Sequence, residues 1–298
     1  MRTTFASVAR ESENAIEAAG KRLAHFQKQV ASGKRISSPS DDPDAAMRAI
    51  SARGEQAVLE RYSQSAVTTS ARLTVVDSTL SGIVETLSRA QVAAMSASGT
   101  SVSAAQRDAA ARDLAGLRDA LFEDLNLSYQ GTRIFAGSAT TTAPFTRDGA
   151  GVISGYAGNG TEVTVDVDRG RSVSVTFDGS RITQGADATD VFTAFESTIA
   201  AAAAGDHAAL TDGMAALKRA FVRATSLQGE VGNALRTIEM DEERLRVQQE
   251  TTAARISMLE DADMTKAISG MTQADTSYRA ALGASATALR VSLLDYLR

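Results

Sequence analysis

A chain of 298 residues with a hydrophobic share of 43% has the size and composition of an ordinary folded protein of one to three domains. The absence of cysteine excludes disulfides, zinc–thiolate sites and thiol catalysis, and a net charge of −5 without a basic block argues against nucleic acid as a partner. Nine Phe, five Tyr and no Trp leave few large rings for a globular core, whereas three prolines leave long stretches free to be helical.

The first periodic stretch is Ile16, Ala19, Leu23, Phe26 and Val30, spaced by three and four residues. It predicts an amphipathic helix near the N-terminus. Asp41, Asp42 and Asp44 then form the densest carboxylate cluster, interrupted by Pro43. Paired carboxylates serve acid–base or metal chemistry, but acidic residues beside a first-turn proline more simply cap a helix. The next seam runs through Leu59, Tyr62, Ala66, Thr69, Leu73, Val76, Leu80, Ile83 and Leu87 without a break. That is a heptad stripe on a helix of roughly 40 Å. Leu114, Leu117, Leu121 and Leu125 make a third seam.

Between about residues 131 and 185 the period changes to two. Val163, Val165 and Val167 alternate with polar residues, as do Val173, Val175 and Phe177, with Asp168-Arg169-Gly170-Arg171 between them. This predicts a β-hairpin in a glycine-rich insertion. Helix resumes at 187–204, where Val191, Phe192, Phe195 and Ile199 share a face. A long register follows through Leu217, Ala224, Val231, Ile238, Leu245, Thr252 and Leu259. The last segment carries Met264, Ile268, Met271, Tyr278, Leu282, Leu289 and Leu293.

Seams sustained this long require partner helices. The expected fold is therefore mainly α: a long antiparallel helical coiled-coil rod built from both chain ends, with a small inserted β-rich domain. The expected divisions are an N-terminal assembly segment at 1–50, rod helices at 51–130, the β-rich insertion at 131–185, returning rod helices at 186–260, and a C-terminal assembly helix at 261–298. The residues expected to carry assembly are Ile16, Leu23, Phe26, Val30, Ile268, Met271, Leu282, Leu289, Leu293 and Tyr296.

The sequence offers no constellation for catalysis. His25 and His207 each stand without a second histidine or carboxylate at metal spacing, and no nucleophile-elbow, Walker or zincin pattern occurs. Asp166 to Gly170 is closer to a hairpin turn than to a calcium loop, because an acidic ligand is missing. No cofactor, metal or enzymatic activity is expected. No run is long and apolar enough for a membrane span, and Met1 to Phe5 lacks the start of a cleavable signal.

Two segments carry a resemblance. Gln29 to Ala46 reads QVASGKRISSPSDDPDAA, and Leu259 to Met264 reads LEDADM. They are similar to the bend after the first helix and to the motif before the last helix of the flagellin superfamily. The positions that match the bend are Gly33, Lys34, Arg35, Ser37, Pro39, Asp41, Asp42 and Pro43. Ser38 to Pro43, Ile134 to Ser138 with Pro144-Phe145, and the ending Ser292 to Leu297 resemble superfamily members placed between hook and filament more than filament subunits. The resemblance implies a self-assembling flagellar subunit that joins hook to filament as an adaptor ring, a short filament flagellin being the alternative. It further implies a homo-oligomer, contact with a neighbouring hook-associated protein and with flagellin, an export chaperone on the C-terminal helix, and an extracellular location reached without a cleaved signal.

Overall fold

The structure, a computed structural model, describes residues 5–99, 101–149 and 151–296, with side chains from Arg10 to Thr287. Among the described residues the fold is mainly α. The helices are α1 (Phe5–Ser32), α2 (Pro43–Ala97), α3 (Ala104–Leu125), α4 (Ser180–Thr183), α5 (Val191–Ala204), α6 (His207–Glu260) and α7 (Met264–Tyr296). The strands β1 (Ser128–Tyr129), β2 (Thr132–Arg133), β3 (Thr164–Asp168) and β4 (Arg171–Ser174) form two antiparallel pairs, β1–β2 and β3–β4. The chain divides into two units, residues 1–59 with 247–298, and residues 60–246.

Side-chain caps fix the starts of α3, α5 and α6. Ser103 and Gln106 form a reciprocal capping box on α3, Asp190 accepts from the Thr193 N–H at 2.8 Å, and Asp206 accepts from Ala208 and Ala209 at 3.0 and 3.1 Å. Each cap satisfies amide donors that the first helical turn leaves unpaired.

In the unit of residues 60–246, one hydrophobic core gathers the heptad positions. Ala66, Leu73, Val76, Leu80, Ile83 and Leu87 of α2 are fully buried, together with Leu114, Leu121 and Leu125 of α3 and Leu217, Ala224, Val231 and Ile238 of α6. The α6 seam continues through half-buried Gln228 and Glu242, while the polar Thr69 of the α2 seam is buried. The aromatic content is concentrated here: Phe145 packs edge-on against Phe192 at 5.1 Å and tilted against Tyr156 at 5.6 Å.

The β3–β4 hairpin forms around Arg169-Gly170, with a register shift between Asp166 and Asp168. Of its valines only Val167 and Val175 are buried, while Val165 and Val173 are half-covered. Phe177 pairs elsewhere, donating its N–H to the Ile134 carbonyl at 2.8 Å. Asp241 of α6, buried, accepts Arg171 and Arg244, and Arg244 also reaches Asp168. These ion pairs pin the hairpin to α6.

The β1–β2 hairpin was not anticipated, because strands of two residues cannot display an alternation. Its two-residue loop, Gln130-Gly131, has positive φ at both positions, 49° and 78°. That is the primed geometry matched to strand twist, and Gln carries a Cβ penalty there that Gly and Asn largely avoid. Gln130→Asn should therefore stabilise the protein by about 0.5 kcal/mol. Urea unfolding would show a higher midpoint with an unchanged slope.

In the unit of residues 1–59 and 247–298, α1 packs along α7. Ile16, Ala19, Leu23, Phe26 and Val30 form the half-buried stripe expected of them. The α7 side differs from the single seam read in the sequence. Its inward positions are Ala267, Gly270, Met271, Ala274, Tyr278 and Ala281, whereas Met264, Ile268 and Leu282 are 41%, 48% and 42% exposed. Large groups of each helix fit against glycines of the other. A Cβ on Gly270 would lie 2.6 Å from a Phe26 ring carbon, and one on Gly20 would lie 3.5 Å from Tyr278. Small residues thus set the close approach, and several bulky apolar residues of α7 face outward.

A clasp between the two terminal segments

The two motifs at opposite ends of the sequence meet. Gly33 follows α1 with φ of +69° and donates to the Gln29 carbonyl at 2.9 Å, closing the helix. The chain then runs antiparallel to the α6–α7 connection. Arg35 N–H donates to Glu260 O at 2.6 Å, Ala262 N–H donates to Gly33 O at 2.9 Å, and Lys34 bridges Asp261. Arg35 also gives Nη2 to the Leu259 carbonyl at 2.8 Å and Nη1 to Asp42 at 3.2 Å.

Beneath this backbone pairing lies a carboxylate. The Glu260 side chain is only 6% exposed, and it accepts Lys34 Nζ at 3.1 Å and Arg53 Nη2 from α2. Ile36, Ala45 and Ala46 form a small apolar core against Leu259. The buried charge is thus held by two cations that themselves reach water, which lowers the desolvation cost of the arrangement.

Of the acidic cluster, Asp42 caps α2 as expected, whereas Asp41 closes the loop before it and Asp44 pairs with Arg48. Asp41 accepts the Ser37 and Ser38 N–H groups at 3.0 and 2.8 Å, and Asp42 accepts the Ala45 N–H at 3.1 Å where α2 begins at Pro43. Asp263 accepts the Thr265 and Lys266 N–H groups at 3.0 and 3.2 Å at the start of α7. These donors hold the carboxyls below the usual carboxylate range: Asp41 through Ser37 and Ser38, Asp42 through Ala45 and then Arg35, Asp263 through Lys266.

The loop therefore holds Gly33, Lys34, Arg35, Ser37, Pro39, Asp41 and Asp42, with Pro43 as the first residue of α2. Phe26, Val30 and Met271 lie on the α1–α7 packing stripe, as do Ile16 and Leu23, while Ile268 and Leu282 lie outside it. The side chains of Leu289, Leu293 and Tyr296 fall outside the described residues. Sequence reasoning missed Glu260 as a buried charge and Arg53 as its partner, 207 positions away. A charged residue one position after a seam leucine gives no local sign that it turns inward. Among the described residues no group of three or more His, Asp or Glu side chains is arranged to hold a metal.

Glu260→Gln should weaken the clasp by about 1–2 kcal/mol, since both cations can rehydrate. Replacing both Lys34 and Arg53 with Met should cost more, because it strands a buried carboxylate. Amide hydrogen exchange at Arg35 and Ala262 would rank the two. Acid should act on the same place. Carboxyls with lowered folded pKa values stabilise the clasp above the unfolded value near 3.9, and that contribution disappears as pH falls through the folded values. The amide shifts of Ser37, Ser38 and Lys266 should accordingly hold constant from pH 7 to about pH 4 and titrate together below it.

Comparison with known proteins follows this geometry. Residues 5–140 match the bacterial flagellin N-terminal helical region, and residues 214–297 match the bacterial flagellin C-terminal helical region. The chain is 32% identical over 158 residues to flagellar hook-associated protein 3 of Escherichia coli K12, covering 53% of this chain and 49% of the relative. It is 32% identical over 155 residues to the protein of the same name in Salmonella typhimurium, covering 52% and 48%. The matches thus span about half the length of these relatives. The fold is similar to Bacillus cereus FlgL, with a TM-score of 0.60 and 20% identity over 70% of this chain and 99% of that one. It is similar also to the flagellar junction protein FlgL of Legionella pneumophila, with a TM-score of 0.62 and 13% identity over 72% and 100%. With both terminal helical regions matched in order, and their two motifs clasped together in the structure, the chain belongs to the flagellin family.

Proposed function

We propose that this chain is a structural, non-enzymatic subunit of the bacterial flagellum that joins the hook to the filament as an adaptor ring. The observation that carries the reading is the outward face of α7. After α1 and α7 have packed, Met264, Ile268 and Leu282 remain exposed on a helix whose small residues face its partner. An apolar stripe left in water costs ~25 cal/mol per Å², and covering it favours association. The relatives named hook-associated protein 3 support the junction reading over a filament flagellin.

In this reading the terminal segments, roughly 1–50 and 260–298, drive assembly through packing between subunits. The partners are further copies of the chain, a neighbouring hook-associated protein and flagellin. Before export, a chaperone covers the C-terminal helix, including Leu282, Leu289, Leu293 and Tyr296, and so delays polymerisation. The subunit then acts outside the cell. The β-rich segment, about 131–185, lies away from the joint and is dispensable for it.

Electron microscopy of the purified protein, alone and mixed with flagellin, tests the assignment. The expected outcome is no long filament from the protein alone and short terminal assemblies on flagellin filaments. Long filaments from the protein by itself would make it a filament flagellin instead. Ile268→Asp with Leu282→Asp should abolish those assemblies while leaving the melting of the protein nearly unchanged, since both positions are exposed within the chain.

A further inference from the structure

Within the unit of residues 60–246, Arg72 is a half-buried cation with no carboxylate partner among the described residues. Arg72 lies on α2, and its Nε donates to the Val175 carbonyl at 2.7 Å. Its guanidinium sits 5.9 Å from the centre of the Tyr129 ring. Nη2 is closed off from solvent and has no hydrogen-bond partner among the described residues. Burial lowers the pKa of the group, and the Tyr129 phenol opposes this only in part. Asp241, a buried carboxylate of the same unit, by contrast has both Arg171 and Arg244.

Arg72 lines a cleft of about 270 Å³ between α2 and the two hairpins. Gln64, Thr68, Thr69, Tyr129 and Gln130 are among its walls, and no Asp or Glu is among the described lining residues. The walls therefore offer amide, hydroxyl and phenol groups around one positive charge. Partial burial of a charge is costly unless it is paired, and a guanidinium forms charge-assisted hydrogen bonds to a carboxylate.

We infer that this cleft is a binding site for a single carboxylate group, held by Arg72 and the polar side chains around it. One positive charge is neutralised by one carboxylate, whereas a dianion would leave an uncompensated charge in a partly enclosed site. The carboxylate comes either from a free organic acid or from an Asp or Glu side chain of a second copy of the chain. This inference does not depend on the flagellar reading.

The test uses the full chain labelled with ¹⁵N, following the arginine Nε–Hε signals during titration with sodium acetate and, at equal ionic strength, sodium chloride. Arg72→Gln assigns the Arg72 signal and keeps a donor toward Val175. The expected result is a saturable shift of the Arg72 signal with acetate that chloride does not produce. If that signal instead shifts on raising the protein concentration in chloride alone, the carboxylate is supplied by another copy, and the site stands. In chloride, Arg72→Gln should melt at or above the wild-type temperature, because it removes an unpaired charge, and it should lose any rise that acetate gives the wild type. A signal unmoved by either titration, or moved equally by acetate and chloride, would overturn the inference. So would an acetate-dependent rise retained in Arg72→Gln.

Discussion

The pairing of residues 33–36 with residues 259–262 is the contact on which the terminal unit depends. It brings together two turns far apart in the chain, and it does so through backbone hydrogen bonds that close over the Glu260 carboxylate. A buried carboxylate is a demanding group: with one cation missing it becomes a liability, and with both in place it fixes a unique register. Gly33, Lys34, Arg35 and Glu260 can satisfy their partners in few other arrangements. The clasp thereby sets where α1 ends and where α7 begins, and so which faces of the two helices meet.

The consequence for function follows from size. Because Gly20 and Gly270 receive Tyr278 and Phe26, the α1–α7 contact is made by small residues against rings. Bulky side chains that do not fit that close approach are left outward, among them Ile268 and Leu282. A sequence-level seam that counts every apolar residue merges these two faces. The packed face stabilises the unit, and the outward face is the part that a neighbouring molecule can cover. The unit of residues 60–246 follows another plan. Most apolar positions of its α2, α3 and α6 seams are buried, and ionic contacts such as Arg171 to Asp241 hold the hairpin in place.

Composition and periodicity by themselves determined the helical class, the α2, α3 and α6 core positions from Leu73 to Ile238, the β3–β4 hairpin and the capping role of Asp42. Each of these rests on neighbours three or four positions away, or two in a strand, so local spacing contains it. Tertiary structure alone decided the β1–β2 hairpin, the pairing of Glu260 with Arg53 and the division of α7 into a packed and an open face. Their determinants lie outside any local window. A two-residue strand has no period, a buried charge is defined by a partner 207 positions away, and the depth of an apolar residue on α7 depends on whether a glycine of α1 or α7 lets the helices approach at that level.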